Sequence, residues 1–277
     1  MGSINQSGDR LIFEKPWLVG KSDYFHRVVE MIGAYDLSLL QWGIALICAM
    51  LVGMAKTGLS GVGLMVVPLL ASVFGGRPSV GLLLPILIFA DVFAVSYYHR
   101  HAKWKHIFRL LPWALLGIAA GVLVGRLISD VVFNRLLAGL VLLGIALMLW
   151  QDFRRNVSVP DYWWFSMGLG LLGGFATMIG NAAGPVMSLY LLSMRLPKNI
   201  YIGTGAWFFF IVNVTKVPFH IGIWKTITVQ SLLFDVLMIP AIALGAWLGI
   251  WLVKFFPEKA YRIFIIATTL FSALLLF

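Results

Sequence analysis

Long apolar runs follow one another along almost the whole of this chain, and none alternates polar and apolar residues with a period of two. They lie at about 38–54, 60–74, 79–98, 107–127, 131–150, 162–179, 184–194, 200–221, 229–253 and 259–277. A helix needs roughly 20 apolar residues to cross a bilayer, whereas barrel strands read as short alternating segments. The 277 residues therefore read as an all-α integral membrane protein with about eight to ten membrane segments. Composition agrees. Of all residues 61% are hydrophobic and 12% charged, about half the charge of a soluble domain. That excludes a cytosolic enzyme, a disordered chain and a secreted disulfide scaffold. The single cysteine, Cys48, lies within an apolar run and reads as packed and inert. The net charge of +10 is spread over short loops, as in a protein oriented by its cytoplasmic lysines and arginines. It calls for no nucleic-acid partner.

Three regions follow. Residues 1–36 form a polar N-terminal tail, in which Phe25, Val28, Val29 and Ile32 mark one face of a short interfacial helix. Residues 37–150 and 151–277 form two membrane repeats of about five helical segments each. Gly63 to Leu70 lies over Gly184 to Leu191, and Asp91 over Asn213. Lys103 to Lys105 lies over Ile223 to Lys225, and Pro112, Gly117 and Gly121 over Pro240, Gly245 and Gly249. An odd number of crossings per repeat would invert the second relative to the first. Glycine and polar residues interrupt the apolar pattern twice, so broken or re-entrant helices are expected at 55–63 and 180–185. Backbone that is not helical at membrane depth must be buried in protein or line a cavity. Paired breaks at corresponding places in two repeats point to a transporter's binding site.

These motifs give the chain a family likeness over residues 40–277. The glycine-rich first break runs into Val67-Pro68-Leu69-Leu70, and Tyr98-His99-Arg100-His101-Ala102-Lys103-Trp104 follows the third segment. Pro112, Gly117 and Gly121 come next. The second half carries Asn181 to Pro185, Gly203-Thr204-Gly205-Ala206-Trp207 and Asn213 to Pro218. In these features the sequence resembles the TauE/SafE family of sulfite and organosulfonate exporters. The family's break has consecutive glycines; here Ser60 and Val62 interrupt the run, and the second copy has Asn181 instead. The resemblance implies export of a small sulfur-containing anion.

The breaks offer chemistry for such an anion. A helix start presents unpaired N–H groups and a partial positive charge, which make an anion site without any cation. Ser60 is expected to cap the segment after the first break, leaving the amides of Gly61, Val62 and Gly63 free. Asn181 is expected to cap the second, followed by Ala182, Gly184 and Pro185. Thr57 and Thr204 add hydroxyls from the first break and from the Gly203–Trp207 motif. Ionisable groups within spans cost about 2.5–3.5 kcal/mol each, so Lys56, Asp91, Lys216 and Asp235 are functional candidates. Lys216 shares a helical face with Asn213 and His220. Two lysines beside two helix starts would suit an oxyanion, while Asp91 would pair with Lys216 or carry a coupling proton. Asp235 lies near a segment end and is expected at the interface. His99, His101 and His106 read as a solvated loop, and no metal or cofactor is expected. Gly117-x-x-x-Gly121 and Gly245-x-x-x-Gly249 read as helix-packing stripes. Trp207 and Phe208 could pack on an organic group.

The resulting expectation is a secondary transporter of the cytoplasmic membrane. It would export sulfite, thiosulfate or an organosulfonate such as sulfoacetate or taurine, coupled to protons or sodium. Its partners would be the anion, the lipid bilayer and a second copy in a homodimer. No Walker A, HExxH or GxSxG sequence occurs, which leaves an anion channel, an intramembrane enzyme or a scaffold as the alternatives. Charge gives the orientation. Arg100, Lys103, Lys105, Arg109, Arg154, Arg155, Arg195, Lys198, Lys254, Lys259 and Arg262 fall on one side of a ten-crossing chain, against Arg77, Arg126, Arg135 and Lys225 on the other. The first side is expected in the cytoplasm. A cysteine placed at His101 should therefore resist an impermeant thiol reagent in intact cells and react in inside-out vesicles. Labelling from outside would reverse the orientation.

Overall fold

A computed structural model describes residues 37–153, 162–194, 196–255, 257 and 260. The tail at 1–36, with its expected interfacial helix, and the last apolar segment at 259–277 lie outside the described residues apart from 260. Among the described residues the structure is helical, with no strand. The helices are α1 (Leu39–Lys56), α2 (Val66–Phe74), α3 (Gly76–Tyr98), α4 (Trp104–Leu127), α5 (Asp130–Phe153), α6 (Trp163–Gly180), α7 (Gly184–Ser193), α8 (Lys198–Gly222) and α9 (Val229–Phe255). Two 3-10 turns, Ser60–Met65 and His99–His101, join α1 to α2 and α3 to α4. Six of the helices, α1, α3, α4, α6, α8 and α9, are long and apolar enough to cross a membrane. Each apolar run up to residue 253 coincides with one helix or with a turn and its helix.

Both expected breaks are present. α1 opens on a reciprocal cap, in which Ser38 Oγ accepts from the Gln41 N–H and Gln41 Oε1 accepts from the Ser38 N–H. It closes at Thr57, whose hydroxyl bonds back to Gly53 O at 2.9 Å. Gly58 follows with φ +144°, a conformation that a side chain would strain. α2 and α7 are short, 9 and 10 residues. At 1.5 Å per residue each reaches only about half the bilayer core. The caps differ from expectation. The turn after the first break starts from Leu59 with no side-chain cap, and the Ser60 and Gly61 side-chain positions lie outside the described structure. α7 starts from Ala183, also without a side-chain cap. Asn181 closes α6 instead, in the left-handed conformation at φ 53°. Asparagine tolerates that conformation better than most residues.

The distribution of side chains is inverted relative to a soluble protein. Phe108, Leu116, Leu123, Trp163, Trp247 and Trp251 are exposed, while Asp91, Thr177, Asn213, Lys216, His220 and Asp235 are buried. A bilayer rewards the first set, and the second must find partners inside. Asp235, within two turns of the α9 start, is buried on the protein-facing side of that helix beside Phe234, and neither carboxylate oxygen has a hydrogen-bond partner among the described residues.

Glycine lets two helix pairs close to backbone contact. α4 packs on α6: a Cβ at Gly117 would meet the Leu171 and Phe175 backbone, and one at Gly174 would meet Ala114. α1 packs on α9: a Cβ at Gly53 would meet Ile242 and Ala246, and one at Gly245 would meet Met50. The two stripes therefore serve packing, as their spacing suggested. Contacts also sort the basic loops. Arg77, at the start of α3, bonds Gly125 O, Ile128 O and Asp130, and stacks near Trp224. At the other end of α3, Lys103 N bonds Thr204, and Lys198 reaches Val253 O. Gly245→Ala should cost about 1–3 kcal/mol through forced separation of α1 and α9. Gly168→Ala, where a Cβ meets nothing within 4 Å, should be neutral or slightly stabilising. Thermal unfolding in detergent distinguishes the two; equal effects would discount the close seam.

Candidate functional site

α1, α2, α3, α6, α7 and α8 enclose a cavity with about 100 Å³ open to the centres of water-sized spheres. One water centre needs about 10–15 Å³, so a small oxyanion fits. Most of the lining is apolar, including Val52, Val66, Leu83, Met187 and Phe209. Lys56, Thr177, Asn181 and Asn213 are among its polar side chains, and Ser188 and Tyr201 form a further pair. Of the residues expected to bind, Lys56, Gly63, Asn181, Gly184 and Asn213 line it.

Lys56 is the last residue of α1, where the helix's terminal carbonyls favour a cation. Its side chain is 11% exposed and its Nζ lies 2.8 Å from Asp91 Oδ1. The same ammonium sits 4.2 Å from the centre of the Phe209 ring, a favourable cation–π distance. Asp91 Oδ2 accepts a hydrogen bond from Asn213 Nδ2 at 2.6 Å. The two residues that align between the sequence halves thus hold each other. Among the described residues the Asn213 Oδ1 has no hydrogen-bond partner.

Lys216 does not pair with Asp91, contrary to the first of the two expectations for that carboxylate. It lies just behind the wall, fully buried, and donates to Thr177 O, Thr177 Oγ1 and Asn181 Oδ1 at 3.0, 2.9 and 2.6 Å. Lys56 stands nearer to Asp91 and takes its charge. Asn213, Lys216 and His220 do share the buried face of α8. His220 Nδ1 lies 2.7 Å from Thr226 Oγ1, its ring against Trp224, away from the cavity lining.

Besides Lys216, three expected residues stand outside the lining. The Thr57 hydroxyl is spent on Gly53 O and Met54 O, and its carbonyl accepts from the Tyr98 hydroxyl. Thr204 holds the loop before α4 through the Lys103 N–H. Ala182 is buried in the second break, with its N–H on Ala176 O. The Ser60 side chain has no described position. The aromatic side chains at the cavity are Phe209 and Tyr201, not Trp207, which packs on Trp104, nor Phe208, which is turned elsewhere. In the loop, His99 bonds Ser96 O and His106 meets the Tyr190 hydroxyl. Among the described residues no cluster fit for a metal occurs.

Sequence reasoning missed Thr177, Ser188, Tyr201 and Phe209. Thr177 carried a signal, because it stands four residues before Asn181 and so shares its side of the chain. Tyr201 donates to Ser188 Oγ at 2.9 Å, a pairing across 13 residues that no local spacing announces. Removing one partner of a buried ion pair costs about 3–5 kcal/mol, and removing both costs less. Lys56→Met and Asp91→Asn should each lower thermal stability by more than the double variant does. A double-mutant cycle in detergent measures this; additive losses would contradict the pairing.

A family profile described as Sulfite exporter TauE/SafE matches residues 45–276 of the chain. No curated protein and no solved structure gives a significant match.

Proposed function

The chain belongs to the sulfite exporter TauE/SafE family, a family of transporters, and from that premise we propose that it moves a small sulfur-containing anion outward across the cytoplasmic membrane. Its multi-pass architecture and its transporter family place it in the plasma membrane. Sulfite, thiosulfate and organosulfonates such as sulfoacetate or taurine are the substrates this reading admits. The observation that carries it is the charge around the cavity. Lys56 and Lys216 contribute two ammonium groups, and Asp91 is the carboxylate beside them. One positive charge is left over in a medium where an unbalanced charge is costly, and one bound anion neutralises it.

The anion would meet Lys56 on the side away from Asp91. Gly63 and Gly184 line the cavity without side chains, and Gly184 opens α7, whose first N–H groups precede the helical ladder; in the first break the Val62 amide is not free as expected but donates to Leu59 O, and the Val66 amide donates to Gly63 O. A Cβ at Gly184 meets nothing within 4 Å, so that wall is open space in the cavity. Lys216 acts through Thr177 and Asn181, which stand between it and the lumen. An anion on Lys56 competes with Asp91. A carboxylate released in this way is free to take a proton, which would couple the two movements. Two further observations support a repeated architecture. Asp91 bonds its aligned partner Asn213, and the aligned glycine stripes each pack on the first long helix of the other half.

The test is a proteoliposome panel with sulfite, thiosulfate, sulfoacetate, taurine and sulfate. At least one sulfur-containing anion should be transported. Gly184→Val should abolish that flux by filling the cavity while the protein remains folded. Lys56→Ala should weaken apparent affinity at least about tenfold, or about 1.4 kcal/mol. No flux for any of the five, or full flux in folded Gly184→Val, would defeat the assignment.

A further inference from the structure

Lys216 ends in a site of a different kind from Lys56. An ammonium has three N–H donors, and here they meet three oxygens, none of them charged: Thr177 O, Thr177 Oγ1 and Asn181 Oδ1. Among the described residues its Nζ makes no ion pair. All three oxygens belong to the C-terminal end of α6, where the last carbonyls carry partial negative charge. The shell is held without help from the lysine. Asn181 is fixed in a left-handed cap by its N–H on Thr177 O, and its Nδ2 is tied to Val80 O of α3 at 3.0 Å. With Nδ2 engaged there, Oδ1 is turned toward Lys216.

Carbonyls and the C-terminal ends of interrupted helices are what membrane transporters use to hold a monovalent cation. The distances of 2.6 to 3.0 Å suit an ammonium, or a bare cation of about potassium's size. We propose that the C-terminal end of α6 is a monovalent-cation site and that Lys216 is its tethered occupant. The lysine supplies covalently the charge that other transporters recruit from solution. The charge is then present before substrate arrives, and it reaches the lumen through Thr177 and Asn181. A carrier built this way needs no diffusible sodium or potassium at that position.

The experiment is thermal unfolding of purified full-length protein in choline, sodium, potassium, ammonium or methylammonium chloride at one ionic strength. Lys216→Ala empties the shell, and Lys216→Met empties it while keeping most of the apolar stem. Both should unfold earlier than the wild type in choline. Ammonium, methylammonium or potassium should raise the midpoint of at least one by about 3 °C or more, with no such discrimination in the wild type. Adding Thr177→Val should shrink that gain. Variants that fold but unfold alike in every cation, or that fail to fold in all of them, overturn the proposal. This arm needs no substrate, so it stands or falls separately from the transport reading. With a substrate in hand, wild-type flux should also survive replacement of sodium and potassium by choline; a strict requirement for either overturns the tethered-cation reading alone.

Discussion

A lysine ammonium inside a bilayer must be surrounded by oxygens, and the cost of failing to do so is what organises the middle of this protein. Lys216 finds its oxygens only because α6 stops at Gly180 and turns through Asn181. The Thr177 carbonyl already accepts from the Asn181 N–H and offers its second lone pair to the lysine, while the left-handed turn brings Asn181 Oδ1 beside it. The break therefore answers the lysine with three oxygens, the carbonyl and hydroxyl of Thr177 and the amide oxygen of Asn181. α7 can then begin again at Gly184, with Pro185 in its first turn, where a missing N–H costs nothing.

The first break solves a matching problem with a different chemistry. Lys56 ends α1 and is answered by a true carboxylate, which is itself steadied by Asn213. The two lysines are thus held by unlike partners, one by a charge and the other by dipoles. A competing anion finds an opponent in Asp91 at the first lysine and none at the second. That difference gives the cavity a fixed positive component and a switchable one. A transporter needs such a combination, because it must attract its substrate and also let it go.

Much of this was legible in the sequence, for a physical reason. A bilayer enforces apolar length and forbids unsatisfied backbone, so helices and breaks both leave strong local marks. The runs and the interruptions at Lys56–Gly63 and Gly180–Pro185 carried those marks directly. The caps were less legible. Asn181 suits a helix start and a left-handed helix end equally well, and the choice depends on where Lys216 and Val80 lie in three dimensions. The partner of Asp91 was hidden for the same reason, since Lys56 and Lys216 are both far from it in sequence. The burial of Asp235 was not legible either, because distance from a segment end speaks of depth, while burial depends on which face of α9 meets neighbours.

The glycine seams tie this chemistry to the rest of the fold. Gly249 packs on Met54 and Thr57, immediately beside Lys56, and Gly121 packs on Met178, immediately beside Thr177. Each seam therefore ends at the residue that brings charge to the cavity wall. Where the seams are backbone on backbone, at Gly117, Gly174, Gly53 and Gly245, they have little slack to absorb a shift. A rearrangement that preserves the seams must carry Lys56 with α9, and Thr177 with α4. The Lys56–Asp91 pair and the Lys216 shell are joined by two polar links, Asn213 to Asp91 and Asn181 to the Val80 carbonyl, both on α3. Both links end on α3, so a shift of that helix would reach both lysines at once, while the seams hold the neighbours on which their burial depends.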